Sequence, residues 1–143
     1  MTVADAAGTP ADDTDSSSAA FWEGMAEGRL VVSRCRSCGS RLFPAIATCA
    51  RCGSADLEAE QAGGEGTIYS WATVHMALAA EFADEVPYTI VAVDLAEGGR
   101  MFGRLLAQGA APVIAAGARV RFESYEVAGR ALPGFRMTGL GTP

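Results

Sequence analysis

The 143-residue chain contains no lysine: all eleven basic residues are arginine, against seventeen aspartates and glutamates. With its abundant alanine and glycine, this bias reflects a GC-rich source and carries no mechanistic information. No apolar run approaches the ~20 residues needed to cross a bilayer. The first eighteen residues, MTVADAAGTPADDTDSSS, have neither the basic start nor the hydrophobic stretch of a signal peptide. The chain is therefore expected in the cytoplasm and off the membrane. Catalytic signatures are also missing. There is no GxSxG elbow, no HExxH pair and no phosphate-cradling GxxxxGK[ST] loop. The single histidine, His75, lies in a strand pattern with no carboxylate beside it, which favours a surface or packing role.

What is present is ordinary globular chemistry, 50% hydrophobic and 20% charged, in a length that allows one main core and a small appendage. The net charge of −6 overstates the acidity of the body, since removing Asp5, Asp12, Asp13 and Asp15 leaves −2. Residues 1–18 bury too little to offset the entropy of ordering and are expected to form a disordered acidic tail. From Ala19, Phe21, Trp22, Met25 and Leu30 fall on one side at helical spacing, with Ser18 as N-cap and Gly28 as stop. This short helix packs either on its own barrel or on a partner. Residues 19–62 are read as the helix plus a small ribbon, with strand-like pieces at 30–33 and 41–43. Residues 63–143 then give five strands, GTIYSWATVHM, VPYTIVAVDLA, RMFGRLLAQ, ARVRFESYEVA and ALPGFRMTGL, separated by Gly, Pro or acidic turns. Arg119, Arg121 and Glu123 alternate with Val120, Phe122 and Ser124 as a half-buried strand requires, while Ile90 to Val93 reads as buried on both faces. Five short antiparallel strands, with one helical or loop insertion around Pro112 to Ala116, suit a mainly β fold closing as an OB-type barrel. An open sandwich is the alternative.

The sharpest signal is the spacing C-x2-C-x10-C-x2-C formed by Cys35, Cys38, Cys49 and Cys52, each pair followed by glycine in CRSCG and CARCG. Without an export signal, two close pairs argue for metal-bound thiolates over disulfides. Two residues between cysteines let both sulfurs of a turn reach one ion at ~2.3 Å, and Gly39 or Gly53 tolerates the left-handed turn. Four thiolates leave no open coordination position, so zinc here is structural. Iron in an electron-transfer site is the competing occupant. With every cysteine so committed, no thiol nucleophile remains and an autonomous enzyme is not expected. Asp94 and Glu97, close together in the turn VDLAEGG, read as solvated turn carboxylates. Arg100, Arg104, Arg119 and Arg121 form either a basic face for phosphates of a coenzyme or nucleic acid, or ordinary surface charge.

Taken together, FWEGMAEGRLVVSRCRSCGSRLFPAIATCARCGS, GTIYSWATVH, VPYTIVAVDLAEGGRMFGRL and LPGFR resemble one family, the acyl-CoA-associated OB-fold proteins with a rubredoxin-like zinc ribbon, domain of unknown function thirty-five. The resemblance runs from about Ala19 to the C-terminus. It rests on the Phe21-Trp22 pair, the knuckle spacing, the Phe43-Pro44 step and Gly66-Thr67. It departs at Ala45-Ile46-Ala47, where relatives tend to carry proline and arginine. The resemblance implies a non-catalytic accessory subunit of a thiolase-fold enzyme, a sterol-carrier-type thiolase or aldolase, or of a hot-dog-fold enoyl-CoA hydratase or a biosynthetic acyltransferase. Such a subunit would help hold acyl-CoA in steroid side-chain or fatty acid degradation, with Phe21, Trp22, Phe43, Arg100 and Arg104 as partner or coenzyme contacts, in a two-plus-two heterotetramer. A single-stranded nucleic-acid-binding module is a second reading, since zinc ribbons and OB barrels both occur there. The sequence pI near 4.7 opposes it.

Overall fold

In a computed structural model, the described residues are 18–43, 47–106 and 113–139. The acidic tail up to residue 17, Ala45-Ile46 and Pro112 lie outside them. Helix α1, Ala19–Ala26, begins where the Ser18 carbonyl accepts the Trp22 amide at 3.2 Å. It ends where the Gly28 amide reaches the Met25 carbonyl, with Gly28 at a φ of 77°. Phe21 and Met25 are buried with Leu30 and Val32 in one cluster with the barrel interior. The inward stripe of the helix therefore packs on its own barrel, while Trp22 stays half-exposed at the margin of that cluster.

Three strands, β1 (Val31–Cys35), β2 (Arg41–Leu42) and β3 (Leu57–Gln61), form an antiparallel sheet in the order β2-β1-β3. The barrel consists of β4 (Glu65–Val74), β5 (Tyr88–Leu95), β6 (Arg100–Leu106), β7 (Arg119–Phe122) and β10 (Gly134–Gly139), closed in the order β10-β6-β5-β4-β7. The fourth and fifth expected strands are each interrupted. The fourth breaks at Glu123-Ser124 and the fifth at Pro133, which cannot donate a ladder bond. The pieces between, β8 (Tyr125–Val127) and β9 (Arg130–Leu132), pair as a separate hairpin. One pairing differs from the antiparallel expectation. After β7 the chain returns so that β10 runs parallel to β6, Phe135 beside Leu105, and this pairing closes the barrel. Residues 113–116 carry no helix.

Alternation builds the core. Val91, Val93 and Leu95 on β5, Met101 and Leu105 on β6, and Val120 on β7 point inward with Ile68 and Phe135. Each such side chain contributes about 1.5–3 kcal/mol through removal from water. Ala92 is buried as well, so the middle of β5 is covered on both faces as its apolar run predicted. Gly103 has the inward position on β6, and a Cβ there would lie 2.8 Å from two ring carbons of Phe135. The absent side chain is what lets the Phe135 ring fill the barrel.

Candidate metal centre and exposed barrel face

The two knuckles are built alike. In the first, the Gly39 amide donates to the Cys35 carbonyl and the Cys35 amide to the Ser40 carbonyl, both at 2.8 Å. In the second, Gly53 donates to Cys49 and Cys49 to Ser54, again at 2.8 Å. Gly39 and Gly53 hold φ of 79° and 77°, the left-handed turn that swings the second sulfur back toward the first. Ser37 and Ser54 hydroxyls meet at 3.0 Å across the knuckles. The outcome is a cluster whose four Sγ atoms all lie within 4.8 Å of one another.

Within it, Cys35 and Cys52 sulfurs are 3.5 Å apart, and Cys38 and Cys49 sulfurs 3.7 Å. A tetrahedron with arms of ~2.3 Å has edges of about 3.8 Å, so the donor set fits zinc. Its neighbours help ionise it. The Ser40 hydroxyl and amide hold the Cys38 thiol down to about 6, and the Arg51 amide donates to Cys49 Sγ at 3.3 Å. At Cys52 the Ser54 amide also lowers the pKa, but contacts with Cys35, burial and the remaining two sulfurs outweigh it and push the thiol up to about 12. Four thiolates this close repel one another; a dication removes the conflict and leaves no position for substrate. The centre can hold structure and has no open site for chemistry.

The other expected site residues scatter. Phe21 is buried in the core, stacked edge-on against Trp22 at 4.9 Å and tilted against Phe43 at 5.2 Å. This trio joins the helix to the end of β2. Arg100 pairs with Asp94 at 2.6 Å and lies over the exposed Tyr69 ring at 3.5 Å. Arg104 is only 18% exposed, held by Glu85 at 3.1 Å between the rings of Tyr88 and Tyr125 at 4.9 and 5.3 Å. It ties the segment between β4 and β5 to the β8–β9 hairpin, a link that Arg130 of β9 repeats by pairing with Glu81 of that segment at 3.8 Å. His75 is exposed at the end of β4.

Two readings of the turn after β5 need correction. Asp94 is engaged with Arg100, and Glu97 accepts the Gly63 amide, while its Oε1 is buried with no hydrogen-bond partner among the described residues. Glu97 thus latches the β5–β6 turn to the ribbon–barrel link, a contact across 34 positions with no local signal. Sequence reasoning also missed the exposed apolar set: Tyr69, Trp71, Met76, Leu78 at 97% exposure and Phe102 at 67%. Phe102 was detectable, since it sits between inward Met101 and Gly103.

A four-thiolate zinc ribbon seated on a closed five-stranded barrel defines the class: a zinc-ribbon OB-fold protein. The chain belongs to the ChsH2, or DUF35, family. Residues 22–58 match the ChsH2 rubredoxin-like zinc ribbon domain and residues 59–123 the ChsH2 C-terminal OB-fold domain. A solved chain described as "Ltp2-ChsH2(DUF35) aldolase" is 32% identical, with a TM-score of 0.75 over 87% of this chain and 97% of that one. A DUF35-family protein of unknown function from Sulfolobus solfataricus shares the fold at 16% identity, with a TM-score of 0.58 over 90% of this chain and 86% of that one. Among curated proteins, a probable enoyl-CoA hydratase alpha subunit of Thermomonospora curvata is 36% identical over 61% of this chain and 27% of its own length. A DUF35 domain-containing scaffold protein of Methanocaldococcus jannaschii is 32% identical over 54% of this chain and 55% of its own length. The chain thus spans from about a quarter to little more than half of these curated relatives. Among the described residues no helix is long and apolar enough to cross a membrane.

Proposed function

We propose that this protein is a non-catalytic accessory subunit of a thiolase-superfamily enzyme, an aldolase or thiolase acting on acyl-CoA in steroid side-chain or fatty acid breakdown. The observation that carries the reading is the correspondence with the aldolase-associated ChsH2 chain, 32% identical across 97% of that chain. The metal centre agrees with it, since a closed four-thiolate site braces a surface and leaves the reacting groups to another chain. Exposed Tyr69, Trp71, Phe102, Met76 and Leu78 offer apolar area of the kind a stable interface covers. Trp22, Phe43 and Arg100 add partly exposed contacts, whereas Phe21 and Arg104 act by holding these in place. The enzyme would supply the catalytic residues, the subunit would help hold the acyl-CoA, and the assembly would contain two copies of each.

The match to a hydratase alpha subunit favours a second reading, in which the partner is an enoyl-CoA hydratase. Affinity capture of the tagged protein from an extract of its own cells decides between them. A thiolase-fold chain at near-equal stoichiometry supports the first reading and a hot-dog-fold chain the second. Capture of neither, with zinc-loaded bait, refutes both.

A further inference from the structure

Nine of the eleven arginines have a carboxylate within 3.8 Å. Arg51, beside the metal ligand Cys52, and Arg119 have none among the described residues. Arg119 lines a cleft of about 550 Å³ between the start of β4, the end of β5, β7 and β10. The cleft's carboxylates are already engaged, Glu65 by Arg121 at 3.0 Å and Asp94 by Arg100 at 2.6 Å. The charge left over in the cleft is the Arg119 guanidinium.

Two features aim that group. Met137 pairs with Val120 and Gly139 with Arg119, so Thr138 is the extra residue of a β-bulge, a device that re-aims side chains. It lines the cleft with Thr67. Gly139, lacking a side chain, lets the guanidinium lie across β10: a Cβ there would be 3.2 Å from Nη2, 3.7 Å from Nε and 3.8 Å from Cζ. Gly139 thus leaves room for the fork beside the strand, and among the described residues no acceptor takes its donors.

We propose that this cleft binds a phosphate monoester, with Arg119 as the charged fork and the Thr67 and Thr138 hydroxyls as supplementary donors. The phosphate belongs either to a nucleotide such as the adenosine 3′,5′-bisphosphate end of a coenzyme, a source that rests on the acyl-CoA reading, or to free inorganic phosphate. The test titrates the zinc-loaded full chain, alone, with adenosine 3′,5′-bisphosphate, inorganic phosphate and unphosphorylated adenosine by calorimetry. Binding of a phosphate probe that falls at least tenfold in Arg119→Met, is intermediate in Arg119→Lys and is unchanged in Arg29→Met, which removes the same charge elsewhere, supports the site. Nucleotide binding at least tenfold tighter than inorganic phosphate assigns the coenzyme source, and equal affinities assign free phosphate. No phosphate binding at millimolar concentration, adenosine binding as well as its bisphosphate, or equal losses in the Arg119 and Arg29 variants overturns it. Arg119 is exposed on a barrel strand, and unchanged zinc content and circular dichroism exclude misfolding. Because no enzyme partner enters this assay, its failure leaves the accessory-subunit reading to be judged by capture.

Discussion

Removing zinc should unfold the ribbon and spare the barrel. Between Ser33 and Gln61 the only buried residues among those described are Cys35 and Cys49, the ligands themselves. What else holds this segment is its sheet and a set of partly exposed ion pairs: Arg34–Glu58, Arg36–Glu58, Arg36–Asp56 and Arg41–Glu60. Exposed pairs of this kind are screened by solvent and contribute little to stability. A structural zinc supplies ~10 kcal/mol or more. Losing that ~10 kcal/mol shifts the opening equilibrium of the ribbon by roughly seven powers of ten. Hydrogen exchange followed by mass spectrometry, before and after chelation, reads this directly. The amides of Cys35, Gly39, Cys49 and Gly53 should lose essentially all protection. Those of Val91 and Val93 should keep most of theirs, because among the described residues between Ser33 and Gln61 only the half-buried Phe43 packs against the barrel core, at its margin. Knuckle amides that stay protected in verified zinc-free protein, or barrel amides that open with them, would refute the reasoning.

Other perturbations test the barrel and its charges. Gly103→Ala should cost about 1–3 kcal/mol by crowding the Phe135 ring, and Phe135→Leu should cost part of the ~3–5 kcal/mol typical of a full truncation. The double variant should recover at least ~0.5 kcal/mol of their sum in urea unfolding, since the smaller side chain makes room for the new methyl. Arg104→Met should destabilise by about 1–3 kcal/mol, since it strands Glu85. It should also raise the Tyr125 phenol, already pushed up by burial and held back by Arg104, in an ultraviolet titration. Glu123 is held below its ordinary value of 4.5 by its hydrogen bond to Arg136. Its folded pKa being depressed, the stabilisation is complete above 4.5 and is lost as pH falls through the folded pKa. Glu123→Gln should therefore flatten the fall in urea midpoint on acidification below pH 4.5, and an unchanged slope would deny the pair any role.

Much of this molecule was legible in local pattern. Knuckle spacing defines the metal centre because four sulfurs and two turns need no distant help. Period-2 alternation placed Val120 and Phe122 correctly, and the unbroken apolar run placed the middle of β5, because burial acts residue by residue. What pattern could not reach is pairing at a distance. Nothing local tells that β10 lies parallel to β6, that Glu97 meets Gly63, or that Arg104 is caged by Tyr88 and Tyr125. The breaks at Glu123-Ser124 and Pro133 were misread as continuous strands. The β8–β9 pieces on either side of the Ala128-Gly129 turn have strand-like composition, and only the barrel's closure shows that they leave it. Of the five contact residues suggested by resemblance, Phe21 is buried in the core and Arg104 is largely enclosed beside Glu85, Tyr88 and Tyr125. Aromatic and basic character marks a residue as valuable without saying whether it faces solvent.

On the proposed function, a zinc-braced chain serves an enzyme whose catalytic residues lie on another chain. The most direct test is reconstitution: the captured partner, stripped of this chain, is assayed on its acyl-CoA substrate alone, with zinc-loaded chain and with chelated chain. The account predicts that activity returns with the zinc-loaded chain, saturates near one copy per enzyme subunit, and fails to return with the chelated one. A partner equally active without the chain would contradict it.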